Sequence, residues 1–240
     1  MRATIDWASA PDEATERLLL AHPCVTQVVS DDSGVFTFTH DQWSREILIG
    51  NTLDAPSGLL ELIDNNPIVC ADRIGVPTAA GTLALIALGP IVQAGLLIES
   101  PTMLTNAPGT SDSVGPELLS IDWSQGITFE HQEVDLGSVY AATVIAAIST
   151  PEDLDDIDDI YEERFGRSLF VRRDEASEWD VSLVRGKPFA LYRLRIAADQ
   201  PYSLLTVQVM ADRDGKCGAS QLVHAMNVMC GYEESLGITY

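Results

Sequence analysis

From Ile74 to Ile98 the chain carries no charged residue over 25 positions, although 21% of its 240 residues are charged. A run of that kind has to be hidden from water, either in a bilayer or inside the protein. Its length would span a membrane, but it holds Gly75, Pro77, Gly81, Gly89, Pro90 and Gly95 and lacks basic or aromatic flanks. The expectation is a buried helix–turn–helix, with helices around 78–88 and 90–94 broken at Gly89-Pro90. With 46% hydrophobic residues, the chain is long enough to bury such a segment in one large or two small domains.

Charge narrows the partners. Thirty-six acidic residues stand against 14 basic ones, giving −22, and Lys187 and Lys216 are the only lysines. A surface this negative repels phosphate backbones and anionic lipids, so neither nucleic acid nor membrane is expected as a partner. Cys24, Cys70, Cys217 and Cys230 lie far apart, without the spacing of a zinc site or a disulfide framework. The N-terminus has no apolar signal core, and reduced thiols in a cytoplasm are the simplest reading.

The opening reads as strand–helix–strand: a strand over 2–6, a helix beginning at Ala10-Pro11-Asp12-Glu13, and a strand over 25–29. This is how a dinucleotide-binding fold begins, yet the first connection has no glycine and carries two carboxylates, so it would repel a pyrophosphate. A hairpin follows (35–38 and 46–49), then a short helix near 58–63 and a strand over 68–71. Residues 100–125 read as loops with a strand around Met103. A long strand is expected over 138–148, followed by a helix with the apolar stripe Leu154, Ile157, Tyr161 and Phe165. The acids from Asp153 to Glu163 are read as a solvated face of that helix; no metal site is expected. Strands over 190–196 and 204–210 and a terminal helix over 219–230 complete the chain.

His131 and Glu133, with Glu130, form the one histidine–carboxylate cluster in the sequence. On a strand, His131 and Glu133 would share a face, the arrangement that acid–base work needs, although an exposed strand also carries such pairs. Arg193 and Arg195 would likewise share a strand face, either paired with the chain's own acids or binding an anion.

Lys216-Cys217-Gly218-Ala219-Ser220-Gln221 and the following Met226-Asn227-Val228-Met229-Cys230-Gly231 resemble the C-terminal helix of N-acetyl-gamma-glutamyl-phosphate reductases, within the aspartate-semialdehyde dehydrogenase group. Tyr161-Glu162-Glu163 with Phe170-Val171-Arg172 is similar to another family segment. Residues 14–29 with His22-Pro23, and Pro77-Thr78-Ala79-Ala80 with Leu83-Ala84-Leu85, are similar to two more. The resemblance implies an α/β (α+β) fold: a reduced Rossmann-like remnant over 1–70, the mixed-sheet dimerisation and catalytic domain over 71–215, and a C-terminal helix in 216–240 packing back on the N-terminal region.

Departures from the family pattern carry the functional expectation. The family's nucleophilic cysteine falls at Gly75, which has no side chain to form a covalent intermediate. Cys70, five residues upstream in an expected apolar strand, is a poor substitute. The general-base histidine falls at Val114, through the match at Pro116-Glu117, and a substrate-binding arginine falls at Leu136. Only about 45 residues separate the second strand from Gly75, where the family has over twice as many. The resemblance thus implies no NADP cofactor and no reductase chemistry. Two readings follow: a dimerising accessory protein (a homodimer, or a heteromer with a related reductase), or a repurposed cofactor-independent enzyme acting on a small anionic ligand. Lys216 survives near the family's cofactor region, where it would bind an anion or offset Asp212 and Asp214. Cys217 beside it stands at a helix N-terminus that favours thiolate, but with no base nearby it reads as a packed residue. His224, on the same helix, reads as a structural histidine.

Overall fold

A computed structural model describes residues 4–31, 34–50, 52, 54–174, 178–198 and 201–238. Its elements run β1 (Ile5–Ala10), α1 (Glu13–Ala21), β2 (Val28–Ser30), β3 (Phe36–His40), β4 (Trp43–Ile49), α2 (Asn65–Val69), β5 (Arg73–Val76), α3 (Ala79–Gln93), β6 (Thr102–Thr105), α4 (Ser111–Val114), β7 (Thr128–His131), β8 (Val139–Ser149), α5 (Asp155–Phe165), β9 (Val171–Arg173), β10 (Ala190–Ala197), β11 (Tyr202–Asp212) and α6 (Ala219–Cys230). Short 3-10 turns lie at Leu60–Leu62, Gly115–Ile121 and Val181–Leu183.

The strands form two mixed sheets, ordered β2-β1-β3-β4-β5 and β7-β6-β8-β11-β10-β9. In the first, β1 and β2 are parallel, as are β4 and β5, and β3 runs antiparallel between the two pairs. Parallel strands joined by a helix make the opening β1-α1-β2 a βαβ unit. In the second sheet β8 and β11 pair antiparallel over eleven positions, from Tyr202↔Ser149 to Asp212↔Val139. The fold is therefore mixed α/β.

Each sheet has its own core, centred on a helix that is buried along nearly its whole length. Every residue of α3 from Ala80 to Ile91 is buried, and its neighbours are β8, β11, α5 and the turn Gly115–Ile121. Every residue of α6 from Ala219 to Met229 is buried as well, packed with α1, α2, β4 and β5. Leu222, Val223 and Met226 join Ile5, Phe36, Phe38 and Ile74 in that core. α3, hydrophobic on nearly all faces, needs protein around it, and this accounts for the uncharged run. Among the described residues no helix is long and apolar enough to cross a membrane. All four cysteines are free.

Several elements differ from the sequence expectation. The first strand runs on to Ala10, so the β1–α1 connection is only Pro11-Asp12, and Arg2 lies outside the described residues. Of the strand expected over 25–29, Val25 makes a single bridge to Ile5 and regular pairing starts at Val28. Residues 68–71 are no strand: the chain forms α2, because Pro67 stands in a first helical turn that needs no N–H from it. Gly89-Pro90 does not break α3, which continues as Ala94 N–H donates to Pro90 O at 3.0 Å. Leu62 packs so closely there that a Cβ on Gly89 would stand 2.2 Å from its Cδ1. Burial of the whole helix outweighs one lost hydrogen bond. Within 100–125, α4 and the turn Gly115–Ile121 replace part of the expected loop, and Thr110 closes a capping box with Ser113. In α5, Ile157, Tyr161 and Phe165 are buried as expected, while Leu154 is exposed.

Candidate functional site

The family's nucleophile position, Gly75, lies in β5 just ahead of α3. Both of its backbone groups are engaged: Gly75 N–H donates to Pro56 O at 2.9 Å, and Gly58 N–H donates to Gly75 O at 3.0 Å. This fastens segment 56–58 over the strand, with Ser57 bridged to Gly75. A Cβ at Gly75 would stand 2.4 Å from Ser57 Oγ and 2.7 Å from Gly50 O. Gly75→Cys therefore overpacks the strand and should lower stability by about 1–3 kcal/mol without restoring reductase activity, as checked by urea unfolding and an NADPH oxidation assay.

Ahead of α3 the remaining space is filled by Glu117. Thr78 caps the helix, its Oγ1 accepting Gly81 N–H at 3.1 Å. Glu117 Oε1 accepts Thr78 N–H and Oε2 accepts the Thr78 hydroxyl, both at 3.1 Å. Gly81 makes the approach possible, since a Cβ there would lie 1.3 Å from Glu117 Oε2. Burial pushes the Glu117 carboxyl up to about 7 against the two Thr78 hydrogen bonds, which favour its charged form. The cleft bounded by Gly50, Ser57, Gly58, Pro77 and Glu117 has no room for a water-sized molecule. Val114, at the family's base position, is wholly buried in the core. Leu136, at the arginine position, packs in a small apolar cluster with Val139 and Val184. Cys70 stands exposed at the end of α2 rather than in a strand, beside Ala71, Asp72 and Arg73.

Lys216 reaches neither Asp212 nor Asp214. Its ammonium meets Glu61 Oε1 at 2.6 Å, and both side chains are buried. Ser168 donates to the same oxygen at 3.3 Å, whereas Glu61 Oε2 has no partner. On α6, His224 Nε2 lies 3.1 Å from Glu234 Oε2, and its Nδ1 has no partner. Burial lowers the His224 pKa against the pull of Glu234, so the ring is neutral at pH 7. Glu61, His224 and Glu234 line a 560 Å³ cleft with Arg164, Arg167 and Asn65 on its walls. Half-buried Cys217 packs near Ala79, and burial pushes its thiol up to about 12, which overrides the expected helix N-terminal activation.

Of the other sequence candidates, Arg193 and Arg195 line one small cleft with Arg173 and Asp174, whereas His131 and Glu133 are not brought together. His131 is exposed at the end of β7 with Nδ1 3.2 Å from Ala107 O, and Glu133 lies beyond the strand. Arg193 is paired with Asp174 at 2.7 Å and lies over the Trp179 ring, while Arg195 is exposed. The acidic run on α5 assembles no metal-ligand group among the described residues.

A dinucleotide bound at such a βαβ opening would place its pyrophosphate on the N-terminus of α1. That end is already capped: Asp12 Oδ1 accepts Thr15 N–H at 2.7 Å, and Glu13 and Glu16 occupy the first turn. Pro11-Asp12 offers no glycine for close backbone approach, so the residues present do not fit the group.

Sequence reasoning missed Glu117 as a site residue, and missed Glu61 entirely. The available signal for Glu117 was an acid set within the apolar run Val114 to Leu119; Glu61 likewise sits between Leu60 and Leu62.

No family model matches the chain. It is 24% identical over 267 aligned residues to an N-acetyl-gamma-glutamyl-phosphate reductase of Bacillus cereus (strain 03BB102), covering 97% of this chain and 76% of the relative. The same identity and coverage hold for that of Bacillus anthracis (strain CDC 684 / NRRL 3495). In structure it is similar to aspartate semialdehyde dehydrogenase II from Vibrio cholerae complexed with ASA, with a TM-score of 0.65 at 14% identity over 95% of this chain and 98% of that one. Sequence likeness to the reductases and fold likeness to the dehydrogenase agree with the motifs at Lys216, Tyr161 and Pro77 and support membership of the chain in the N-acetyl-gamma-glutamyl-phosphate reductase and aspartate-semialdehyde dehydrogenase superfamily.

Proposed function

We propose that this chain is a non-redox member of the superfamily that acts by association, as a dimerising accessory protein. The observation that carries the reading is the closed space at Gly75, where Ser57, Gly50 and Glu117 occupy the volume a nucleophile and its substrate would need. Retained helices and strands beside a filled cleft support this reading.

The surface for association is the open face of the second sheet. Register places Ile145 opposite Thr206 and Ala147 opposite Leu204, so these four residues share one face. The opposite face, with Val144, Leu205 and Val207, is in the core. Ile145 is 39% exposed, and Tyr202 and Leu204 are each 45% exposed. A flat, central, partly apolar sheet face of this kind suits a second copy of the same fold.

In sedimentation velocity the protein should run as a dimer, and the Ile145→Lys/Leu204→Lys variant as a monomer with unchanged melting temperature. In the same preparation NADPH should keep its free nicotinamide fluorescence up to millimolar cofactor. A monomeric wild type sinks the association reading, and saturable micromolar NADPH binding sinks the non-redox one.

A second reading, a cofactor-independent enzyme, draws on the cleft where neutral His224 is oriented by Glu234 beside the Glu61–Lys216 pair. An imidazole held by a carboxylate is a competent general base for a small substrate.

A further inference from the structure

We propose that a second cleft, between α1 and the β11–α6 turn, binds a small oxyanion carrying two or more negative charges. Its volume is 470 Å³, and its walls carry Arg17, Arg185 and Lys187. In a chain of net charge −22 with 14 basic residues, three cations at one cleft are a strong local departure.

Six cations elsewhere are engaged, whereas Arg164 and Arg167 line the first cleft and Arg195 is exposed. Arg73 pairs with Glu46, Arg173 with Asp158, Arg193 with Asp174, Arg213 with Asp214 and Lys216 with Glu61. Arg45 donates to the Met229 carbonyl. Among the described residues Arg17, Arg185 and Lys187 make no ion pair; Arg185 acts on exposed Asp180 only through space.

The acids of the cleft are already committed. Asp212 is 3% exposed. Its Oδ2 accepts the Ser138 hydroxyl at 2.6 Å and Gly186 N–H at 2.8 Å, and its Oδ1 accepts Asp214 N–H at 3.0 Å. Asp214 is held by Arg213 at 3.2 Å.

The loop that presents two of the cations is rigidly seated. Gly186 adopts φ +67°, which other residues avoid, and Asp212 holds its N–H. Lys187 N–H donates to Val184 O at 2.9 Å. A Cβ on Gly215 would lie 2.1 Å from Lys187 O, so the loop backbone lies directly against the β11–α6 turn. On the facing wall, Arg17 shares the α1 surface with Ala14, Leu18 and Ala21. A buried carboxylate and a close-approach glycine thus hold unpaired cations at an open cleft. Guanidinium forks opposite an ammonium recognise phosphoryl or carboxylate oxygens by charge-assisted hydrogen bonds.

Isothermal titration of the full chain with inorganic pyrophosphate, and separately with citrate, tests this at low ionic strength. Saturable one-to-one binding of at least one probe is expected. Arg17→Gln and the Arg185→Gln/Lys187→Gln pair should each weaken it by about tenfold or more, with melting temperatures unchanged. Preference for pyrophosphate assigns a phosphoryl ligand, and preference for citrate a polycarboxylate; either supports the site. Heats equal to dilution for both probes, or equal weakening by Arg164→Gln/Arg167→Gln at the other cleft, overturn it. Because NADPH carries a pyrophosphate, its titration is repeated on Arg17→Gln: a nicotinamide response lost in that variant belongs to this cleft, and one that persists overturns the non-redox reading instead.

Discussion

Lys216→Met should cost about 3–5 kcal/mol of folding stability at pH 7, because it leaves the buried Glu61 carboxylate without its counter-charge. The wild-type pair sits at 2.6 Å with side-chain exposures of 1% and 7%. Burial alone would raise the Glu61 pKa, but the charge and hydrogen bond of Lys216 outweigh it and hold the group below the ordinary glutamate value. A depressed folded-state pKa contributes stability that is present above the unfolded value and lost as pH falls through the folded one. In Lys216→Met burial, the largest effect, loses its main opponent and outweighs the remaining hydrogen bonds, so the sign reverses: the deficit is greatest at neutral pH and shrinks on acidification as Glu61 takes up a proton. Adding Glu61→Leu should recover most of the loss, since neither charge then remains buried. Urea unfolding of the three proteins at pH 7 and pH 5 measures this. A Lys216→Met midpoint equal to wild type at pH 7 would show that the pair contributes nothing.

The second large effect belongs to Glu117, and its pH dependence has the opposite sign. With its pKa raised from 4.5 to about 7, the folded chain holds a proton that the unfolded chain has released. Its contribution is complete below pH 4.5, and stability falls as pH rises from there to about 7. The span corresponds to about 3 kcal/mol. Glu117→Gln keeps an acceptor for Thr78 N–H and removes the titration. The stability difference between variant and wild type should therefore grow in favour of the variant from pH 4.5 to 7 and level off above. Parallel pH profiles of the two proteins would rule out the raised pKa. Because Glu117 closes the space before α3, the same titration reports on the packing of that space.

Much of the secondary structure was legible because it is written in local pattern. α6 runs over Ala219–Cys230 as its periodicity predicts, and β8, β10 and β11 fall within a few residues of the alternating segments that suggest them. Errors came where burial overrode local propensity. Pro90 is accepted inside α3 because the helix from Ala80 to Ile91 is wholly buried, and Asn65-Asn66-Pro67 starts a helix where β-branched Ile68 and Val69 suggest a strand. The candidate site was far less legible. Glu61 and Lys216 are 155 positions apart, Glu117 and Thr78 are 39, and Arg17 and Lys187 come from opposite ends of the chain. His131 and Glu133, adjacent in pattern, do not meet once the strand ends at His131.

From the sequence alone came the fold class, the superfamily resemblance, the missing side chain at Gly75 and the glycine-free β1–α1 connection. These depend on residue identity and on hydrophobic periods of two or 3.6, which any short window displays. Only the tertiary structure decided that Lys216 meets Glu61, that Ser57 and Glu117 fill the space beside Gly75, and that three cations line one cleft where Asp212 pins the loop at Gly186. Side-chain charge pairing and cavity filling act over ångströms between residues distant along the chain, and no local pattern encodes which of 36 acids each cation will meet.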